Sequence, residues 1–290
     1  GCQEPSGERA GSAAASGLSA AELLQASLQQ RAALTSLRAE AAMRILDPEN
    51  DFTLRINTEI LAQKPGRLRL RASKALGKVD VFDTVLIGNQ IAFYVPRKRT
   101  LYEGTRADLA DADIHFDPGQ ILGHLLQPER GLALRAWRRR APPEAGFFSG
   151  PPPIVLEERR PAGQPRLRAM LDPETLDMIR VEQRNADGAV VFAKEYRRYE
   201  PLEARGPKRS GKDAPSVVHA LGRYPYQAHL EWPQSDRSVL VTFKRLVPEV
   251  SIPAAAWYLE VPPRTRTKSI REVRVEGDAE SPDTAGRPES

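Results

Sequence analysis

The sequence predicts an α+β domain organised around a strongly curved antiparallel meander, with one greasy face and one basic face. Three observations carry this reading. Leu68, Leu70 and Ala72 alternate with Arg67, Arg69 and Arg71, and a period of two marks strands buried on one face only. Gly88-Asn89 separates two runs rich in β-branched and aromatic residues, 81–87 and 91–95, as in a two-residue hairpin. Asp187-Gly188 repeats that signal further on. A one-sided sheet must cover its apolar face with a second sheet, a helix or a ligand.

The elements follow in order. Ser19-Ala20-Ala21-Glu22 has the form of a capping box. Leu23, Leu24, Leu28 and Leu34 recur at helical spacing, so a helix is expected to about Thr35, packed on the sheet. A strand over 37–46 follows, with Ala39, Ala41, Met43 and Ile45 on one face. Asp47-Pro48-Glu49-Asn50 is a turn, and Phe52 to Ile60 alternates again before the Lys64-Pro65-Gly66 turn. After Gly104 the pattern changes. Asp117-Pro118 opens an expected helix with Ile121, Leu122, Leu125 and Leu126 on its apolar face, stopped by Pro128. A second short helix is expected over 131–140, making a helical insert of about 117–140. Strands are expected at 154–159, 167–171, 176–185, 189–199, 217–221, 227–232 and 239–246. The polar stretch 203–216 is expected as an exposed loop, 250–261 closes the domain, and 273–290 is expected to be a disordered acidic tail. The domain therefore spans 19–272, behind a flexible tether over 1–18.

Composition bounds the function. The chain has 290 residues, 40% of them hydrophobic, enough for a real core. A net charge of +5 makes anionic partners natural. No apolar run approaches the roughly 20 residues that span a bilayer as a helix. The sole cysteine is Cys2, preceded by Gly1 and followed by a Ser-, Ala- and Gly-rich stretch. One cysteine excludes internal disulfides and cysteine-rich zinc sites. Its position matches the start of a mature bacterial lipoprotein, cut from its signal peptide, with Cys2 carrying thioether-linked diacylglycerol and an amide-linked acyl chain such as palmitate. Several acyl chains hold a protein on a membrane durably. An incidental cysteine in a disordered terminus is the alternative.

Catalytic patterns fail on inspection. Gly206 to Lys212 has P-loop spacing, but Asp213 stands where Ser or Thr would hold magnesium. Asp108, Asp111, Asp113 and Asp117 lack calcium-loop spacing, because Leu122 occupies the place of the bidentate glutamate. His115, His124, His219 and His229 form no zinc motif, and Ser149 is off by one for a nucleophile elbow. No enzyme, metal or cofactor is expected. The basic runs Arg97-Lys98-Arg99 and Trp137 to Arg140 read first as a solvated face, second as attraction to anionic headgroups, and last as nucleic-acid binding, which would need more interleaved aromatics.

The order of elements also resembles a known family. The stretches RLRLRA, VFDTVLIGNQIAFYVPRKRTLYEG, LDPETLDMIRVEQRNADGAVVFAKEYRRY and VPEVSIPAAAWYLEVPP look like the LolA/LolB superfamily of periplasmic lipoprotein carriers, over roughly 19–269. The resemblance is to outer-membrane lipoproteins related to LolB in particular. It implies an incomplete antiparallel β-barrel, a half-barrel with helices covering its concave face, and a cavity for the acyl chains of a lipoprotein or related lipid. Candidate lining residues are Leu68, Leu70, Val81, Phe93 and Val95 from central strands. Ile121, Leu122, Leu125 and Leu126 would come from the plug helix, and Val241, Phe243, Trp257 and Leu259 from the last strands. The resemblance further implies a monomer, lipid-anchored at Cys2 to the outer membrane and facing the periplasm, with a periplasmic carrier as partner and no nucleic acid. Gln3 after the cysteine fits outer-membrane residence. The rival reading is a scaffold lipoprotein of the same fold with a filled core that docks a protein. A third is a basic RNA-binding β-domain, which requires a cytoplasmic, unlipidated chain.

Overall fold

The structure, a computed structural model, describes residues 17–32, 34–74, 79–111, 132, 135–142, 151–205 and 218–273. Cys2, the plug-helix residues Ile121, Leu122, Leu125 and Leu126, the P-loop-like stretch and the tail 274–290 lie outside the described residues.

One 14-stranded sheet dominates. The first meander comprises β1 (Ser36–Asp47), β2 (Phe52–Gln63), β3 (Arg67–Lys74), β4 (Asp80–Ile87), β5 (Gln90–Val95) and β6 (Thr100–Thr105). The second comprises β7 (Trp137–Arg140), β8 (Ile154–Glu158), β9 (Arg166–Leu171), β10 (Met178–Arg184), β11 (Val190–Arg205), β12 (Val218–Trp232) and β13 (Arg237–Pro248). In each, successive strands pair antiparallel with their chain neighbours. β13 then returns to pair with β1, so the two meanders run outward from a shared seam. β14 (Arg266–Ser269) joins the outer edge of β6 in parallel, the exception to an otherwise antiparallel sheet. The outer edges, β14 and β7, do not pair with one another. A partly open barrel fits this order.

The seam is fastened at one end by side chains. Glu249 accepts the Thr35 backbone N–H at 2.7 Å and the Thr35 hydroxyl at 2.6 Å, while Ser36 donates to the Val250 carbonyl at 2.8 Å. These groups lie 214 positions apart in the chain. At β6, a Cβ on Gly104 would stand 2.4 Å from Ile270 Cγ2, so glycine is what lets the buried Ile270 lie against the strand.

Among the described residues one α-helix stands out, α1 (Ala20–Ala32). The expected capping box is present. The Glu22 carboxylate accepts from Ser19 N–H at 2.7 Å, and Ser19 Oγ accepts from Glu22 N–H at 3.3 Å. Leu23 and Leu24 of α1 are buried in one cluster with Leu156, Ala169 and Leu171 of the second meander. No helix among the described residues is long and apolar enough to cross a membrane.

Several expectations need correction. Residues 137–140, expected as the end of a helical insert, form strand β7: Trp137 is buried, and the run pairs with 155–158. The expected loop from Glu203 begins later, because β11 runs on to Arg205 and pairs with Val218. The two strands expected over 217–232 are one continuous β12. Val273, expected at the head of the tail, is 3% exposed and part of the core.

Candidate functional site

Register decides which side chains share a face. Across the first meander, Ala39, Ile60, Leu70, Thr84, Phe93 and Tyr102 stand opposite one another in turn. Across the seam and into the second, Met43, Val241, Ala228 and Tyr196 do the same. Val181, Ala169 and Leu156 continue that face toward the β7 edge. Most apolar side chains of both meanders therefore lie on one side of the sheet, while Val85, Tyr94, Val155 and Met170 are buried on the other. They form two clusters. One is centred on β1–β6 and β13, the other on α1 and β7–β11, and they adjoin on β12, where Leu230 belongs to the first and Ala228 to the second.

The expected lining residues divide on this map. Leu68, Leu70, Phe93, Val241 and Phe243 are buried in the first cluster, and Val81 and Val95 pack against it half-buried. Aromatic rings join them. Phe93 lies 5.2 Å from Phe82 and 6.5 Å from Tyr102 between centroids, and Phe243 lies 6.0 Å from Tyr224, edge on. Trp257 does not share this face. It is buried in a 3₁₀ turn (Ala254–Trp257) that packs on β3 from the other side. The Arg67 guanidinium sits 6.0 Å from its ring, and Arg69 donates to the Ala256 carbonyl at 2.9 Å. Both arginines alternate with Leu68 and Leu70, so Trp257 is on the face opposite the expected cavity. Leu259 is half-buried and belongs to neither cluster.

The opposite face is charged, and sequence reasoning missed how it is organised. One cross-strand row reads Arg138, Glu157, Arg168, Glu182 from β7 to β10. Glu157 is 4% exposed at its side chain and is approached by Arg138 at 2.7 Å, Arg140 at 3.0 Å, Arg168 at 3.2 Å and Arg166 at 3.7 Å. Burial pushes its carboxyl up, but hydrogen bonds from Arg138, Arg140 and Arg168 outweigh this and hold it down at about 2. Glu158, equally buried but alternating to the side of Leu156 and Trp137, takes Arg135 at 2.6 Å and Arg160 at 2.8 Å. Burial raises it too, and these two arginines with the Leu167 N–H lower it below the usual range. Glu182 repeats the pattern between Arg180 and Arg184. The signal was present in the sequence as arginine at alternate positions 138, 140, 166 and 168 with Glu157 between the runs. It reads as a generic solvated face until the register is known.

Two residue groups considered for metals find other uses. Asp108 accepts from the Thr105 hydroxyl at 2.7 Å and the Thr105 N–H at 2.8 Å, and pairs with Arg271, which ties the last 3₁₀ turn back to β6. These contacts hold its carboxyl down at about 2. Glu195, His229 and Glu231 bring three ligand atoms together on the charged face. Arg197 and Arg180 already occupy those carboxylates, at 2.6 Å on Glu195 and 3.4 Å on Glu231, which opposes a cation there.

Comparisons with known proteins agree with the fold. A LolA superfamily protein from Nitrosomonas europaea superposes with a TM-score of 0.51 at 9% identity, covering 83% of this chain and 98% of that one. A DUF1329 family protein from Desulfovibrio piger gives 0.53 at 12%, covering 82% and 94%. A domain of a putative outer membrane lipoprotein-sorting protein from Vibrio parahaemolyticus gives 0.50 at 12%, covering 82% and 95%. The chain has the LolA/LolB-like fold. No protein-family profile matches the sequence, and no curated protein does.

Proposed function

We propose that this chain is an envelope lipoprotein that binds the acyl chains of a lipid or lipoprotein against the apolar face of its open sheet. The observation that carries the reading is the pair of adjoining apolar clusters that the two meanders place on one side of a sheet whose outer strands, β14 and β7, do not pair. The fold it shares with LolA-like proteins supports the same reading. Leu68, Leu70, Phe93, Val241 and Phe243 would line the binding surface, with Val81 and Val95 at its border. Ile121, Leu122, Leu125 and Leu126 join them on the strength of the sequence alone. Trp257 is withdrawn from this set.

The mechanism would be physical, with no covalent step and no cofactor. Acyl chains that leave a bilayer for a surface of Leu, Val, Ile and Phe exchange one apolar environment for another. The transfer is then close to isoenergetic, provided water is kept out. Cys2, acylated, would hold the protein at the outer membrane, facing the periplasm, where a soluble carrier would deliver cargo.

Native mass spectrometry of the full chain mixed with a triacylated lipopeptide tests this. A one-to-one adduct is expected, and Phe93→Ser should weaken it while circular dichroism stays unchanged. If wild-type protein takes up no lipopeptide and retains no lipid from its own membrane fraction, the carrier reading fails. The scaffold reading, with a filled core, then replaces it.

A further inference from the structure

The β7 edge of the sheet is not electrically balanced. Four arginines converge on Glu157 and two on Glu158, and the neighbouring carboxylate, Glu182, is already taken by Arg180 and Arg184. Arg159 adds another guanidinium beside them, exposed at the end of β8. Cations thus outnumber carboxylates several-fold within a few strands' width. Donors outnumber acceptors as well: the buried Nε atoms of Arg138, Arg166 and Arg168 have no hydrogen-bond partner. Unmatched donors of this kind are costly unless something accepts from them.

Beside this cluster lies a shallow, largely open groove of about 460 Å³, lined by Arg138, Arg159, Arg160 and Pro161. Three of its four lining residues are arginines. Arg138 and Arg160 reach their glutamates with one edge of the guanidinium and keep substantial exposure, 38% and 42% of the side chain. Pro161, in the β8–β9 connection, narrows the local choice of backbone conformation. Planar, permanently charged forks around a concave surface suit a tetrahedral oxyanion, which accepts several hydrogen bonds at once.

We propose that the groove formed by Arg138, Arg159 and Arg160 binds a phosphate oxyanion, as carried by an anionic lipid headgroup or by a free phosphate. Arg138 of this groove stands on the charged face, opposite the apolar clusters, and the proposal does not depend on acyl binding. A phosphate held there would accept from the exposed guanidinium edges of Arg138, Arg159 and Arg160.

The test uses the full chain without acyl groups and two probes. One is inorganic phosphate, followed by calorimetry. The other is phosphatidylcholine vesicles doped with phosphatidylglycerol, followed by co-sedimentation against phosphatidylcholine alone. Doped vesicles should retain the protein and neutral ones should not. Retention should fall steeply with salt. The double variant Arg159→Glu with Arg160→Glu should bind the doped vesicles about 30-fold more weakly, given roughly 1 kcal/mol for each basic residue at an anionic surface. A matched double reversal on the first meander, Arg44→Glu with Arg55→Glu, should leave binding unchanged. Binding of phosphate alone, lost in the groove variant, supports the site and assigns it to soluble phosphate esters. Binding of doped vesicles alone, lost in the same variant, assigns it to headgroups. The proposal is overturned if neither probe binds, or if both double variants weaken binding equally, since that is net charge and not a site. Equal retention by neutral and doped vesicles would point to acyl uptake and also overturns it.

Discussion

The two meanders solve one packing problem in two ways. Each puts aliphatic and aromatic side chains on the same side of the sheet, and each must then finish the other side. In the first meander that side carries simple pairs. Arg69 meets Asp83 at 2.7 Å, and Arg71 meets Asp80 at 2.8 Å with both partners about half exposed. The segment that bears Trp257 then lies over β3. In the second meander the same side holds Glu157 and Glu182, each buried and each served by at least two arginines. A charge withdrawn from water needs several donors in place. The lesson is that identical alternation conceals unequal dependence on charge. The first meander stands on its apolar face, and the second stands on both.

The contrast is sharpened most by truncating the apolar face, where the halves should behave alike. Leu70→Ala and Leu156→Ala, both at residues with 0% exposure, should each cost about 3 kcal/mol in urea unfolding. A single transition shifted equally by both would mark one cooperative unit. Two separable transitions would break the picture of a continuous sheet.

Charge deletion should then part the halves. Glu157→Gln strands four arginines and should cost on the order of 2 kcal/mol, discounted for their partial exposure. The dependence on pH follows from the lowered carboxyl. A group held at about 2, against an ordinary value of 4.5, stabilises the folded state fully above 4.5. That contribution drains away as pH falls from 4.5 toward 2. Wild-type thermal stability should therefore decline across this window, and Glu157→Gln should flatten the decline. An equal decline in the variant would remove Glu157 as the cause.

Smaller effects complete the series. Ser19→Ala deletes the cap of α1 and should cost about 1 kcal/mol in thermal unfolding. Arg71→Ala breaks an exposed pair and should change stability by less than about 0.5 kcal/mol. A larger loss there would erase the distinction between the halves.

Much of the sheet was legible because its signals are local. The turns at Gly88-Asn89 and Asp187-Gly188 fix two hairpins, and alternation from Leu37 to Ile45 fixes the face of β1. What escaped depends on distant partners. β7 holds one apolar residue, Trp137, and becomes a strand because Glu157 and its neighbours pair with it. β11 and β12 look broken at Pro201, Gly222 and Pro225, yet all three lie where one flank is free of a ladder. Pairing with β10 ends at Glu195, and pairing of β12 with β13 starts only at Gln227. Gly222 takes a φ of +89° beside the bulge opposite Pro201. Trp257 was misplaced because nothing in Ile252 to Leu259 announces that the chain crosses to the other face. For the candidate site, the aliphatic lining of β3, β5 and β13 could be read from alternation, whereas the arginine groove required register.

The seam between β1 and β13 sets an order of events during synthesis. β1 is among the first strands to leave the ribosome, and its final partner is the thirteenth. Thr35 and Glu249, joined in the finished fold, are 214 residues apart. At roughly 5–20 residues per second, the first meander waits about 10–40 s with the β1 edge unpaired. An open edge beside an apolar surface is a template for mispairing with another chain. Exposed Arg38, Glu40 and Arg44 along β1 act as gatekeepers during that wait. A nascent chain stalled before β13 should be far more prone to aggregate than one stalled just after it.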